Sequence, residues 1–199
     1  MKATSEPKQR RSIDKKNRII EAGYALFNEK GMRNTNTAEI AKRAGVSTGI
    51  VYRYFEDKHE IFIASLPMYF ALFNERIRKV FSSLSLPLDY EKIIDDIIEA
   101  VIASHDSSPA AYAEISALSF SDPEVKSFFD ESYARMNDEL VRIVAELGIP
   151  FDFPREKMHL MMTLVEQYVH ELVFSRDENL DYVVMKKLLI RMILSLLSA

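Results

Sequence analysis

Residues 36–55 read NTAEIAKRAGVSTGIVYRYF, and the fold is decided there. Asn36 or Thr37 can cap a helix by accepting a hydrogen bond from an unpaired N–H of its first turn, and Glu39, three residues after Asn36, has the spacing that returns the bond. Ile40 and Ala41 supply the inward face, Ala41 being small enough for a second helix to pass close by. Gly45 suits a left-handed turn that a β-carbon would disfavour. Val46 then plugs the corner, and Ser47 can cap the next helix. The pattern predicts a short helix, a sharp turn and a second short helix, the geometry that lays the second helix in the major groove of DNA.

At about 100° per residue, with Thr48 set at 0°, Val51 falls near 300° and Phe55 near 340°, which makes that side the core. On the same wheel Gly49 lies near 100°, Arg53 near 140° and Ile50 near 200°, with Tyr52 and Tyr54 flanking at about 40° and 240°. Arg53 is the residue suited to reading a base edge, preferably guanine, and Ile50 to apolar contact with a thymine methyl. Gly49 lets the backbone come close. Tyr52, Tyr54, Thr37 and Lys58 are placed for phosphates, as are the helix starts at Thr37 and Thr48, and Ser47 falls in the same set. Taken singly, either tyrosine serves equally as half-buried packing and Arg53 as a solvated charge. For the whole segment the same alternative would leave the capped, glycine-turned, basic arrangement without a purpose.

Upstream, Ile19, Ala22, Gly23, Leu26 and Phe27 keep the spacing of an amphipathic helix over about 13–30, with Gly31 as its stop. Downstream, Asp57 and Glu60 have capping-box spacing at the head of a helix running toward Phe81, with Pro67 marking a kink or break. Further helices are predicted near 89–105, 109–119, 122–147, 154–176 and 180–198, punctuated by Asp122-Pro123, Gly148, Pro150 and Pro154. No strand pattern stands out. The expected fold class is all-α, a three-helix head on a body of five or six longer helices.

The net charge of −4 hides an asymmetry: residues 1–60 carry 13 Lys/Arg against 8 Asp/Glu, and the remaining 139 carry 13 against 22. A basic head on an acidic body fits a nucleic-acid module joined to a domain with another task. Without cysteine there is no disulfide, thiolate metal site or thiol nucleophile. The polar first residues, MKATSEPKQRRSIDK, cannot serve as a secretory signal, and the longest mostly apolar run, Ile61 to Phe73, is too short for a membrane span. These features predict a soluble, cytoplasmic protein. Enzyme readings fail on spacing. His59-Glu60 leads to Ile63 and His170-Glu171 to Phe174, so neither completes HExxH; His159 and His170 lack a third ligand; and there is no GxSxG elbow or phosphate-binding glycine loop. No cofactor or metal is expected.

RIIEAGYALFNEKG (18–31) followed by TAEIAKRAGVSTGIVYRYFEDKHEIF (37–62) resembles the DNA-binding head of the tetracycline-repressor-like (TetR) regulators over about residues 13–65. The resemblance implies an all-α homodimer that binds double-stranded DNA at a palindromic operator and holds a small-molecule pocket in its C-terminal domain. In such proteins effector binding shifts the fourth helix, spreads the heads and releases DNA. It implies Thr37, Thr48, Gly49, Tyr52, Tyr54 and Lys58 as DNA contacts. Ile50 departs from the Thr or Ser common at its position, which substitutes an apolar contact for a polar one.

The resulting organisation is a basic flexible tail (1–12, with Lys2, Lys8, Arg10 and Arg11), a DNA-binding domain (13–58) and an effector-binding and dimerisation domain (59–199). The last two helices are expected to pair with their mates across a two-fold axis. A pocket for a small apolar or amphipathic effector is sought among Phe73, Tyr112, Phe120, Phe129, Met136 and Met162, each of which also suits ordinary core packing. Glu114 and Glu166 are candidates to face a cationic effector, with a surface role the favoured reading for both. The competing expectation is an effector-blind regulator controlled by a protein partner.

Overall fold

Helical periodicity runs through nearly the whole chain. The computed structural model describes residues 6–106, 109–149 and 152–198, and among these it contains helices and no strands. They are α1 Glu6–Lys30, α2 Thr37–Ala44, α3 Thr48–Val51, α4 Lys58–Ser82, α5 Tyr90–Asp106, α6 Pro109–Ser121, α7 Pro123–Glu146, α8 Pro154–Phe174 and α9 Tyr182–Ser198. The all-α class expected from the sequence is what is found, and the punctuating Asp122-Pro123, Gly148 and Pro154 lie at or beside helix ends, Pro150 lying outside the described residues. Two boundaries differ. Helix α1 starts at Glu6 rather than near 13, because the run EPKQRR is rich in residues that favour helix; Lys2 lies outside the described residues. Pro67 breaks nothing. Helix α4 continues through it, although a proline there leaves the Ile63 carbonyl without its usual donor.

The chain divides into two compact units, one of residues up to Tyr69 with Ala110–Val125, the other of Phe70–Pro109 with Lys126 onward. The division does not follow the 58/59 boundary expected from the motif, because the head's core needs the first turns of α4. Ile61, Phe62 and Leu66 of α4 are fully buried in the first unit with Ile19, Leu26 and Phe27 of α1. The Phe27 and Phe62 rings meet edge to face at 5.5 Å. A β-carbon on Gly23 would lie 2.5 Å from Ile61 Cγ2, so α1 and α4 approach closer there than any other residue allows. Helix α6 adds Ala111 and Ile115 to the same unit's buried residues.

The second unit is built on α5, α8 and α9. Ile94, Ile98 and Val101 of α5, Met158, Met161, Val165 and Val169 of α8, and Leu189, Ile190 and Ile193 of α9 form one cluster at helical spacing. The turn between α8 and α9 is pinned by Tyr168, whose hydroxyl donates to the Tyr182 carbonyl at 3.1 Å, and by Tyr182, whose hydroxyl donates to Glu171 Oε1 at 3.0 Å.

Candidate nucleic-acid interface and ligand cavity

The helix-turn-helix forms through the local bonds its sequence predicts. Asn36 Oδ1 accepts from the Glu39 N–H at 3.0 Å, and Glu39 Oε2 accepts from the Asn36 N–H at 3.1 Å, a complete capping box. Gly45 sits at φ 65° and ψ 37°. Its N–H reaches the Lys42 carbonyl while the Val46 N–H reaches Ala41, the paired bonds that close a helix through a left-handed residue. Ser47 stands at the start of α3 but makes no side-chain capping bond, against expectation. At so exposed an N-terminus water can satisfy the first N–H groups, which leaves the Ser47 hydroxyl uncommitted.

Val51 and Phe55 are buried, as the helical wheel requires, and Gly49 and Arg53 are exposed. Helix α3 ends at Val51, however. Arg53 and Tyr54 donate instead to the carbonyls three residues back, of Ile50 and Val51, so the uniform α-helical wheel holds only for the first half of 48–55. Arg53 thus projects from a tightened turn and makes no ion pair among the described residues. Around Gly49 there is open space: an added β-carbon would meet nothing within 4 Å, so packing within the chain does not demand glycine there.

The two tyrosines are tied to neighbouring hydroxyls. Tyr52, 56% exposed, shares a hydrogen bond with Thr37 Oγ1 at 2.9 Å, bridging the starts of the two motif helices. Half-buried Tyr54 shares one with Ser12 Oγ of α1 at 2.8 Å. Lys58 is committed elsewhere than its predicted phosphate role suggests. Its ammonium donates to the carbonyls of Met32, Arg33 and Thr35 at 2.8, 3.2 and 2.9 Å, using all three N–H bonds on the loop that leads into α2. From the other side the Glu114 carboxylate of α6 accepts from the N–H groups of Met32 and Arg33. That loop is therefore clamped at both polarities of its backbone. Spacing along the chain could not reveal this, since Glu114 lies about eighty residues away. Asp57 Oδ1 accepts from the Glu60 N–H as predicted, but Glu60 reaches back to the Glu56 N–H, one residue earlier than a capping box requires.

Two ion pairs brace the head. Arg43 pairs with Glu29 and Lys30 with Glu39, both at short range. The Arg43 hydrogen bond holds the Glu29 carboxyl below its ordinary value, and Lys30 together with the Asn36 N–H does so for Glu39.

The second unit contains a cavity of about 130 Å³ between α4, α5, α7, α8 and α9 residues of that unit. Of the candidate effector residues, Phe73, Met136 and Met162 line it, along with Ile77, Ile97 and Leu197. The other candidates lie elsewhere. Phe129 packs in a ring cluster with Phe70, Phe128 and Tyr133; Tyr112 meets the Tyr69 ring in the first unit; and Phe120 is 89% exposed on α6. An aromatic residue at helical spacing does not by itself say which of several apolar clusters it joins. Glu166 also lines the cavity, and its Oε1 bonds His105 Nε2 at 2.9 Å.

A capped helix, a left-handed glycine turn and a short exposed second helix on a three-helix core define the class of helix-turn-helix regulators. Residues 19–65 match the family model of bacterial regulatory proteins, tetR family. The transcriptional regulator HbdR of Aromatoleum sp. (strain CIB) is 28% identical over 109 residues, 51% of this chain and 48% of that protein. The regulator BetI of Yersinia pestis is 38% identical over 72 residues, 36% of each. The match thus spans about half or less of these relatives' length. Among solved structures, a TetR-family regulator from Mesorhizobium loti aligns with TM-score 0.71 at 22% identity, covering 94% of this chain and 97% of the other. A regulator from Saccharomonospora viridis, solved in complex with choline, aligns with TM-score 0.65 at 16% identity over 89% and 94%. These likenesses establish the fold. Residues 19–65 thus carry the TetR-family DNA-binding head, and the relatives the chain matches are transcriptional regulators.

Proposed function

We propose that this protein is a dimeric transcriptional repressor that holds a palindromic operator through residues 36–58 and lets it go when a small apolar or amphipathic molecule occupies the cavity of its second unit. The observation that carries the reading is the division of α3 and its following turn. Val51 and Phe55 are spent on the core, while Gly49 and Arg53 are exposed, Ile50 is half-buried beside them, and the space around Gly49 is open. Arg53 reads a base edge and Ile50 a thymine methyl. Thr37, Tyr52 and Tyr54, already hydrogen-bonded in place, meet phosphates, together with the free Ser47 hydroxyl and Thr48. Lys58 acts by holding the loop that sets α2.

Dimerisation through α8 and α9 is supported by an apolar stripe that the monomer leaves uncovered: Val184, Leu188 and Met192, spaced four apart on α9, with Leu160 on α8, are each about half exposed. Ligand control is supported by the cavity and by the choline complex of the Saccharomonospora viridis protein. No helix of the described residues is long and apolar enough to cross a membrane.

The test is retention of labelled genomic fragments by the purified protein at low salt. Binding should fall with salt at a log–log slope of about −0.9 per phosphate neutralised. Failure to select any fragment over bulk DNA would refute the reading.

A further inference from the structure

The cavity's chemistry narrows the class of molecule it can hold, an inference that rests on the ligand-controlled reading above. Its walls are aliphatic, aromatic and thioether groups, among them Phe73, Ile77, Ile97, Met158 and Met162, and beside the phenols Tyr90 and Tyr133 the one carboxylate on its lining is Glu166. Behind Glu166 stands His105, 4% exposed. His105 Nδ1 lies 2.9 Å from the Val101 carbonyl, which can only accept, so Nδ1 carries a proton; Nε2 lies 2.9 Å from the Glu166 carboxylate. Burial works against a charged ring, but the Glu166 bond and charge and the Val101 carbonyl outweigh it and hold the imidazole above its ordinary pKa. The pair is an imidazolium beside a carboxylate, with no net charge.

Three ligand types can then be ranked. A carboxylate would meet Glu166 as a like charge in an apolar space. An ammonium would find a carboxylate already balanced by His105, and would bring a net positive charge into the cavity or force a proton off the ring. A neutral hydroxyl can donate to the outer Glu166 oxygen while burying no net charge. Size follows from the volume, since an apolar protein cavity of roughly 150 Å³ holds a benzene molecule.

We infer that the cavity binds a neutral, mostly apolar molecule of about one aromatic ring that carries a hydroxyl, with Glu166 as the acceptor that selects it and His105 as the residue that positions Glu166.

Calorimetric titration of the full chain at pH 7 with benzyl alcohol, toluene, benzylamine and benzoate tests this directly. Benzyl alcohol should bind at least tenfold more tightly than each of the others. Glu166→Leu should erase its advantage over toluene, and Glu166→Gln should reduce the discrimination against benzoate. Ile97→Phe, which fills the space while leaving the polar pair in place, should abolish binding of all four probes. Benzoate or benzylamine binding as tightly as benzyl alcohol, no binding by any probe, or an advantage over toluene that survives Glu166→Leu would overturn the inference. Operator retention measured with the same compounds separates the two readings. Benzyl alcohol that binds without releasing DNA leaves the ligand class standing and sinks ligand control, whereas release by some other metabolite while none of the four probes binds sinks the ligand class alone.

Discussion

The head and the body of this chain are both helical, yet they are specified at different ranges. In the head, Asn36, Glu39, Gly45 and Val46 bond partners within five residues, so each turn is fixed by what stands next to it. In the body the cavity is assembled from Phe73, Ile97, Met136, Met162 and Leu197, which are scattered over most of the unit's sequence. The two motif helices are thus encoded locally, although the loop before them is held by the distant Lys58 and Glu114, whereas the cavity is built wholly by residues that meet only after folding.

The largest expected effect breaks the body. Ile98 is fully buried in the α5, α8 and α9 cluster, so Ile98→Ala should cost about 2–5 kcal/mol. Thermal melting should show the loss, while the ratio of operator to non-specific binding, measured below the melt, stays that of the parent. A changed ratio would mean that base selection is not confined to the head.

The next pair sharpens roles inside the head. Lys58→Met removes three bonds from a charged donor and leaves loop carbonyls short of partners, a loss of about 1.5–3 kcal/mol in stability. It should weaken binding to every DNA sequence alike. Arg53→Ala removes no contact among the described residues and should leave the melting temperature within the scatter of surface substitutions. It should cost about 1–3 kcal/mol of discrimination at one base position. If the two variants gave the same melting and selectivity profiles, the division between holding the loop and reading the base would fail.

Smaller still is the cap. Asn36→Ala should destabilise by about 1 kcal/mol, seen as a shifted denaturation midpoint.

Against these effects one can set what was legible before folding. Helix order, the αL turn at Gly45, the capping box and the buried pair Val51 and Phe55 follow from short-range rules and are all present. Phe73, Met136 and Met162 line the cavity because large flexible apolar side chains fill the walls of such spaces, whereas Tyr112, Phe120 and Phe129 lie elsewhere, since amphipathic spacing gives a helix face and not the neighbour that covers it. The Glu114 clamp, the Ser12–Tyr54 bond and the His105–Glu166 pair were not legible at all. Each joins residues some forty or more positions apart, and none carries a local signature. The shortened α3 escaped for a related reason: a periodic wheel assumes the helix continues, and only the bonds at Arg53 and Tyr54 show that it tightens.

The smallest effect tests whether the body's buried pair is charged, which is where the two regions differ most. The head's titrating carboxylates, Glu29 and Glu39, are held below their ordinary values, so their contribution to stability is present near neutrality and lost only as pH falls through the acid range. His105 is shifted the other way. A group raised in the folded state binds its proton more tightly there than in the unfolded chain, so its contribution is complete below the unfolded value of about 6.5 and is lost as pH rises through the folded value. Melting temperature should therefore decline from pH 6.5 upward in the parent, and the decline should be smaller in His105→Gln. Parallel curves for the two proteins over this window would show that the pair is not an imidazolium and a carboxylate, and would return Glu166 to the role of an unbalanced acid facing the cavity.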